Sequence, residues 1–197
     1  MANTFRKGIY PARLDTVEYR LYSIAVGNAT NVFVGDAVTA LADGSIAPAA
    51  GGDATIVLGT VVELFDNTTI QGAPTGANGV PIGMWASSVS SKYLPLSTAG
   101  WAMIAIAKPG AMFIAQTNTI LTRAAINATT DLVAGAGNTT TAQSGHVLNG
   151  ADLNTGGQML ILGPVVQPNN DITLAGAIWY VQFNESLNMG VGKATGV

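Results

Sequence analysis

The stretch Val34–Glu63 decides the fold, and it reads VGDAVTALADGSIAPAAGGDATIVLGTVVE. Short runs of β-forming residues alternate there with Gly-Asp and Asp-Gly pairs, and no catalytic motif stands among them. Asp43 and Gly44 separate two such runs, and glycine takes the positive φ that a tight primed turn needs without steric cost. We therefore expect a β-hairpin with its turn at Asp43 and Gly44.

The run Ile56–Val62 that follows the hairpin is almost continuously apolar. A strand of this composition is typical of the middle of a sheet, where both faces are covered. Gly59 lies inside the run and indicates either a bulge or the close approach of another backbone. The whole stretch is therefore interpreted as the centre of a first β-unit that spans residues 23–66.

The segment 67–100 differs from its neighbours because glycine and proline recur too densely for any long regular element. It is predicted to be a loop-rich excursion that lies on another surface, and the alternative is a set of short edge strands and turns. The β-pattern resumes after residue 100, which predicts a second β-unit over residues 101–197, packed on the first. Helical periodicity is weak, and its best candidate, Ile120–Asn127, covers barely two turns.

Ala177–Phe183 is the clearest strand of the chain. Trp179 and Phe183 share one face of it and Tyr180 the other, since side chains alternate along a strand. Large side chains on both faces indicate that both are covered. The sequence predicts an all-β protein, either a β-barrel or a β-sandwich, with an extended N-terminal arm and two small β-units as a possible arrangement.

Basic residues are concentrated at the N-terminus. Residues 1–22 carry four basic and two acidic residues, a net charge of +2, which leaves −5 for the remainder of a chain whose net charge is −3. Gly8 and Pro11 interrupt any regular element there. We predict an arm over residues 1–22 that contacts another surface, and its anchors are Phe5, Arg6, Lys7, Tyr10 and Arg13. The alternative is a first strand with a frayed start.

The composition favours assembly. Only 10% of the 197 residues are charged and 48% are apolar, against about 25% charged in an average soluble domain. No run of about 18 apolar residues offers a membrane-spanning segment. We therefore expect a homo-oligomer, with no membrane partner, in which subunit contacts cover much of the surface.

The chain has no cysteine, which removes disulfides, thiolate metal sites and thiol nucleophiles together. Its first residues, MANTFRKGIYPARLD, are not followed by the apolar region of a secretory signal. We expect synthesis and assembly in a cytosol, and no cofactor.

The search for catalytic residues returns one weak candidate. His146 has Ser144 close by, and an orienting carboxylate would have to come from Asp131 or Asp152. We expect a solvated turn histidine instead of a base and nucleophile pair. An enzymatic function is not predicted.

Two further motifs are interpreted structurally. Asp36, Asp43 and Asp53 lack the spacing of a calcium loop and are interpreted as turn residues. Gly135–Thr140 is glycine-rich, but no lysine follows it, so it is predicted to be a flexible loop rather than a phosphate site. The few basic residues on an acidic chain also argue against nucleic acid as a partner.

Several backbone patterns resemble known proteins. Gly35-Asp36-Ala37-Val38, the hairpin return Gly44-Ser45-Ile46 and the Ile56–Val62 strand resemble the barrel signature of bacteriophage capsid cement, or decoration, proteins. Later stretches are similar to virion structural proteins of tailed phages, namely Met112–Gln116, Leu160–Gly163 and Trp179–Asn184.

The resemblance implies β-barrel subunits, often trimeric, on the exterior of the capsid in the virion. The implied partner is the major capsid protein, whose neighbouring subunits the trimer bridges. Trp179, Tyr180 and Phe183 would then lie in the core or in the trimer seam. Two alternatives stay open: a tail or head-completion structural protein, and a carbohydrate-binding or host-adhesion module with Trp85 and Trp101 as stacking platforms.

Overall fold

A computed structural model of the chain describes residues 3, 5–13, 17–52, 56–66, 93–154 and 156–184. The protein is all-β, as predicted. A short 3₁₀ helix, Arg123–Ala125, lies inside the segment that showed the best helical pattern. No helix of the described residues is both long enough and apolar enough to cross a membrane.

The strands of the described ranges are, in chain order, β1 (Ile9–Pro11), β2 (Tyr19–Ile24), β3 (Val32–Phe33), β4 (Ala37–Ala40), β5 (Ile46–Pro48), β6 (Gly59–Asp66), β7 (Tyr93–Leu94), β8 (Gly100–Ile106), β9 (Phe113–Gln116), β10 (Thr129–Asn138), β11 (Gln143–Asn154), β12 (Met159–Pro164) and β13 (Ile178–Phe183).

A six-stranded antiparallel sheet has the order β1-β9-β13-β12-β10-β11. The sheet curls into half a barrel, because the chain just beyond β9 returns to β11 through a parallel bridge between Thr117 and Leu148. The amide of Asn118 donates to the carbonyl of Leu148 over 3.0 Å, which partly closes the curl.

A five-stranded antiparallel sheet has the order β2-β8-β6-β4-β5, and β3 pairs with β7 in a separate two-stranded sheet. β8 lies between β2 and β6, with Tyr19 opposite Ala105 and Thr60 also opposite Ala105. The five-stranded sheet therefore takes β2 largely from the predicted arm and β8 largely from the predicted second unit.

The predicted hairpin is confirmed, because β4 pairs with β5. The predicted two-residue primed turn is wrong, since Gly44 has a φ of 82° and Asp43 is not among the described residues with positive φ. The Gly44 amide donates to the Leu41 carbonyl, and the Leu41 amide donates to the Ser45 carbonyl. The Asp43 carboxylate accepts from the Ser45 amide over 2.9 Å. A longer loop with one left-handed glycine therefore makes the turn.

Gly59 allows the close backbone approach that the sequence indicated. A Cβ at this position would lie 2.2 Å from the Ala105 carbonyl oxygen of β8. The bulge of β6 lies further along, between Val61 and Glu63. Thr60 and Val61 point to opposite faces and are both fully buried, as expected for a strand with two covered faces.

Two apolar clusters form the core. The first lies between the two large sheets and contains Trp179, Phe113 and Phe183 together with Ala37 and Ala105 from the five-stranded sheet. Phe113 and Phe183 meet edge to face with ring centroids 4.9 Å apart. The second cluster lies on the other face of the five-stranded sheet, with Ile24, Val38, Ile46, Leu64, Leu94 and Ile104 among its members.

Candidate functional site

A buried polar cluster joins the two large sheets, and we call it the junction: Asp36, Ser144 and His146. Asp36 lies in the turn between β3 and β4, whereas Ser144 and His146 are two positions apart on β11 and so face the same side. The three residues are 3%, 1% and 2% exposed, respectively. Burial this deep requires that each polar group has a partner.

Hydrogen bonds close the junction. The Ser144 hydroxyl donates to Asp36 Oδ1 over 2.6 Å, and the Phe33 amide donates to Asp36 Oδ2 over 2.8 Å. The His146 amide donates to Ser144 Oγ over 3.0 Å. The Ala37 amide donates to His146 Nδ1 over 3.1 Å. The turn between β3 and β4 is thus tied to β11.

The ring of His146 is neutral in this arrangement and carries its proton on Nε2, since Nδ1 accepts a hydrogen bond. Burial lowers the pKa of His146, and the nearby Asp36 opposes that shift. Burial also raises the pKa of Asp36, against the effects of His146, of the Ser144 hydroxyl and of the Phe33 amide. His146 Nε2 lies 4.0 Å from Asp36 Oδ1, which is too long for a hydrogen bond.

The junction is not arranged as an activated nucleophile. In a serine nucleophile the hydroxyl donates to the imidazole, and a carboxylate accepts from the other ring nitrogen. Here Ser144 donates to Asp36, and Nδ1 of His146 accepts from a backbone amide. The geometry supports a structural tie between two sheets.

The prediction of a solvated turn histidine is therefore wrong. β11 extends through His146, and residues two apart on a strand face the same way, which places Ser144 and His146 together. The carboxylate beside them is Asp36, and neither Asp131 nor Asp152 takes that place. Asp131 instead accepts from the Gln158 amide over 3.2 Å. The Ser-x-His spacing on an extended run was the available signal, but Asp36 is 108 residues from Ser144.

A cleft of about 550 Å³ opens beside His146. Phe33 lines it and stacks on Tyr93 with ring centroids 5.3 Å apart. A Cβ at Gly137 would lie 2.2 Å from the Phe33 ring, so this wall of the cleft needs glycine. The predicted flexible loop at Gly135–Thr140 is wrong in its first part, because β10 continues to Asn138.

The predicted arm folds onto its own chain. β1 pairs with β9, the amide of Ile9 donates to the Gly35 carbonyl over 2.8 Å, and the Thr60 hydroxyl donates to the Ile9 carbonyl over 2.6 Å. β1 therefore bridges the two large sheets, as a first strand would. A contact with a neighbouring subunit stays a prediction.

The five predicted anchors lie on or beside β1. Arg6, Lys7 and Arg13 are exposed, whereas Phe5 and Tyr10 are half-buried. The Arg6 guanidinium lies 5.7 Å from the centroid of the Tyr10 ring, and it donates to the Ala142 carbonyl over 3.0 Å. Burial raises the pKa of Tyr10, which Arg6 opposes.

A second cleft, of about 370 Å³, is lined by Phe5 and Arg6, which precede β1, and by Ile114 of β9 and Ile178 of β13. The side-chain amide of Asn3 holds the far end of the segment, because it donates to the Asp171 carbonyl over 2.9 Å. Asn3 and β1 thus both contact the rest of the chain.

The three aromatic residues of β13 differ in burial. Trp179 is fully buried, Phe183 is buried and Tyr180 is half-buried. Trp179 and Phe183 lie in the core of the single chain. Of the two proposed stacking platforms, Trp101 is half-buried on β8 and Trp85 lies outside the described residues.

Within the described ranges, no three or more His, Asp or Glu residues gather as metal ligands would. Comparison with known proteins found no matching family model, no matching curated protein and no matching solved structure.

Proposed function

We propose that the chain is a non-enzymatic virion structural protein, a capsid cement or decoration protein that lies on the exterior of a phage head and bridges neighbouring major capsid subunits. The exposed cations Arg6, Lys7 and Arg13 carry the proposal. They lie on a chain whose residues 23–197 have a net charge of −5. The positive charge of the N-terminal segment favours its docking onto a protein surface of negative charge.

Composition supports an assembly role. A chain with 10% charged residues has the low charge that is typical of the centre of subunit interfaces. The proposed state is a homotrimer, assembled in the host cytoplasm. Repetition of weak contacts over a shell gives each trimer an avidity far above that of a single contact.

The proposal includes no catalytic step. Among the described residues, Ser144 and His146 are the nearest approach to a nucleophile and its base, and the Ser144 hydroxyl is committed to Asp36.

Heads assembled without the protein provide the test. Purified protein added to them should bind and restore their resistance to heat, measured as the temperature at which packaged DNA becomes accessible to a dye. Heads that bind none of the protein would refute the proposed function.

The role of the cations can be separated from net charge. Replacement of Arg6, Lys7 and Arg13 with glutamine should weaken head binding and make it less sensitive to salt, because exposed charges are screened by ions. The matched control replaces Arg20, Lys108 and Arg123 with glutamine, which changes the net charge equally. Equal binding by the two variants would contradict docking through the N-terminal segment, even where the wild type binds.

A further inference from the structure

The junction places the one histidine of the chain where its protonation decides whether a hydrogen bond exists. Nδ1 of His146 accepts from the Ala37 amide over 3.1 Å. A ring nitrogen accepts only while it carries no proton. The bond between the start of β4 and β11 therefore requires a neutral imidazole.

Among the described residues, one charged group acts on this ring. Asp36 faces it from the turn between β3 and β4, and it is the charged group that acts on the pKa of His146. Ser144 lies on the same strand as His146, and Ala134 is the register partner of His146 on β10. From β5 and the residues after it, uncharged Pro48–Ala50 line the same cleft. The Tyr10 hydroxyl interacts with Asp36 and with Arg6, beyond the junction.

A second proton on the ring would go to Nδ1, which already faces the Ala37 N–H group, so two donors would oppose each other. Asp36 does not compensate, since its oxygens accept from Ser144 and the Phe33 amide, and it lies 4.0 Å from Nε2. We infer that His146 is an acid-sensitive latch: its neutral ring holds the start of β4 against β11, and proton uptake at Nδ1 releases that contact.

A second tie between the sheets does not titrate. The Gln158 side-chain oxygen accepts from the Gly52 amide over 3.2 Å and from the Leu132 amide over 3.1 Å. An amide oxygen keeps its acceptor role at any pH near neutrality. Release of the latch should therefore be local and leave the contact at Gly52 in place.

The direction of the pH effect on stability follows from the pKa shifts of His146 and Asp36. Burial lowers the pKa of His146 in the folded protein, whereas an unfolded histidine titrates at about pH 6.5. Acid therefore protonates the unfolded chain first. The contribution of His146 to stability is complete above that pH and is lost as the pH falls from there through the lower pKa of the folded protein. Asp36 acts in the opposite direction, because its raised pKa lets the folded protein take up a proton earlier.

Urea unfolding at steps between about pH 7.5 and 5.5 tests the latch, since ordinary carboxyl groups titrate below that range. For the wild type, the equilibrium constant for unfolding should rise by up to about tenfold per pH unit below pH 6.5. In H146N, an amide oxygen replaces Nδ1 as the acceptor and does not titrate, so the rise with falling pH should be lost. D36N removes the opposing carboxyl group and should keep the rise. A flat profile in D36N, or an equal rise in H146N, would overturn the inference.

NMR on the wild type tests the local step without any variant. With one histidine, the ring nitrogen signals report its protonation directly, and Nδ1 should be unprotonated at neutral pH. The hydrogen-exchange protection factor of the Ala37 amide should fall as the ring takes up its second proton, while that of the Gly52 amide stays constant. Equal loss at both amides, or constant protection of Ala37 while the ring is protonated, would overturn the latch.

Discussion

Around Trp179 the two large sheets meet through an apolar face, whereas around His146 they meet through hydrogen bonds with fixed partners. The apolar cluster contains Trp179 and Ala105, and its contacts have no required direction. In the junction, each bond has one donor and one acceptor, and removal of either leaves a buried polar group unpaired. The stability of the region around Trp179 should therefore depend on side-chain volume, and that of the junction on hydrogen-bond partners.

Substitution of Trp179 should give the largest effect. Trp179→Ala removes a fully buried side chain between the sheets and should lower the free energy of unfolding by about 3–5 kcal/mol. The matched variant, Trp179→Phe, should cost much less, because the indole N–H has no hydrogen-bond partner among the described residues. Urea unfolding of both variants measures the difference. Equal losses would show that the indole N–H, and not the volume, matters.

Substitution of Ser144 should give a smaller loss. Ser144→Ala leaves Asp36 Oδ1 and the His146 amide without their partner and should cost about 1–3 kcal/mol. Ser45→Ala is the matched control, because Ser45 also donates to a carboxylate, Asp43, over 2.6 Å. Asp43 is exposed to water, which replaces the lost bond, so this control should lose less stability. A loss at Ser45 as large as that at Ser144 would contradict the role of burial.

The apolar region could be predicted from the sequence because its signal is local. Alternation along Ala177–Phe183 placed Trp179 and Phe183 on one face, and both are buried in the core. The close approach at Gly59 could also be predicted, since a glycine inside an apolar run has few structural explanations. The hairpin at Gly44 could be predicted because glycine after Asp43 is a turn signal. The type of the hairpin turn could not be predicted, because the Asp43 side chain accepts a hydrogen bond from the Ser45 amide within the turn.

The junction could not be predicted because its partners are distant in sequence. Asp36 was correctly interpreted as a turn residue, since its Oδ2 accepts from the Phe33 amide, but its other oxygen reaches Ser144 across 108 positions. No periodicity links two such residues. The curl of the six-stranded sheet and the position of β4 against β11 bring them together, and these are properties of the whole fold. The all-β fold could therefore be predicted from the sequence, whereas the junction could not.

The hairpin turn at Gly44 lies outside both regions and should give the smallest effect. Gly44 has a φ of 82°, and a Cβ added there would meet no atom within 4 Å, so only backbone strain opposes a side chain. Gly44→Ala should cost about 1 kcal/mol, and Gly44→Asn less, because asparagine enters the left-handed region more readily than alanine. The same urea measurement ranks them. If Gly44→Ala destabilised the protein as much as Ser144→Ala, then the loss of a buried partner would have no special weight. The contrast between the junction and the rest of the molecule depends on that difference.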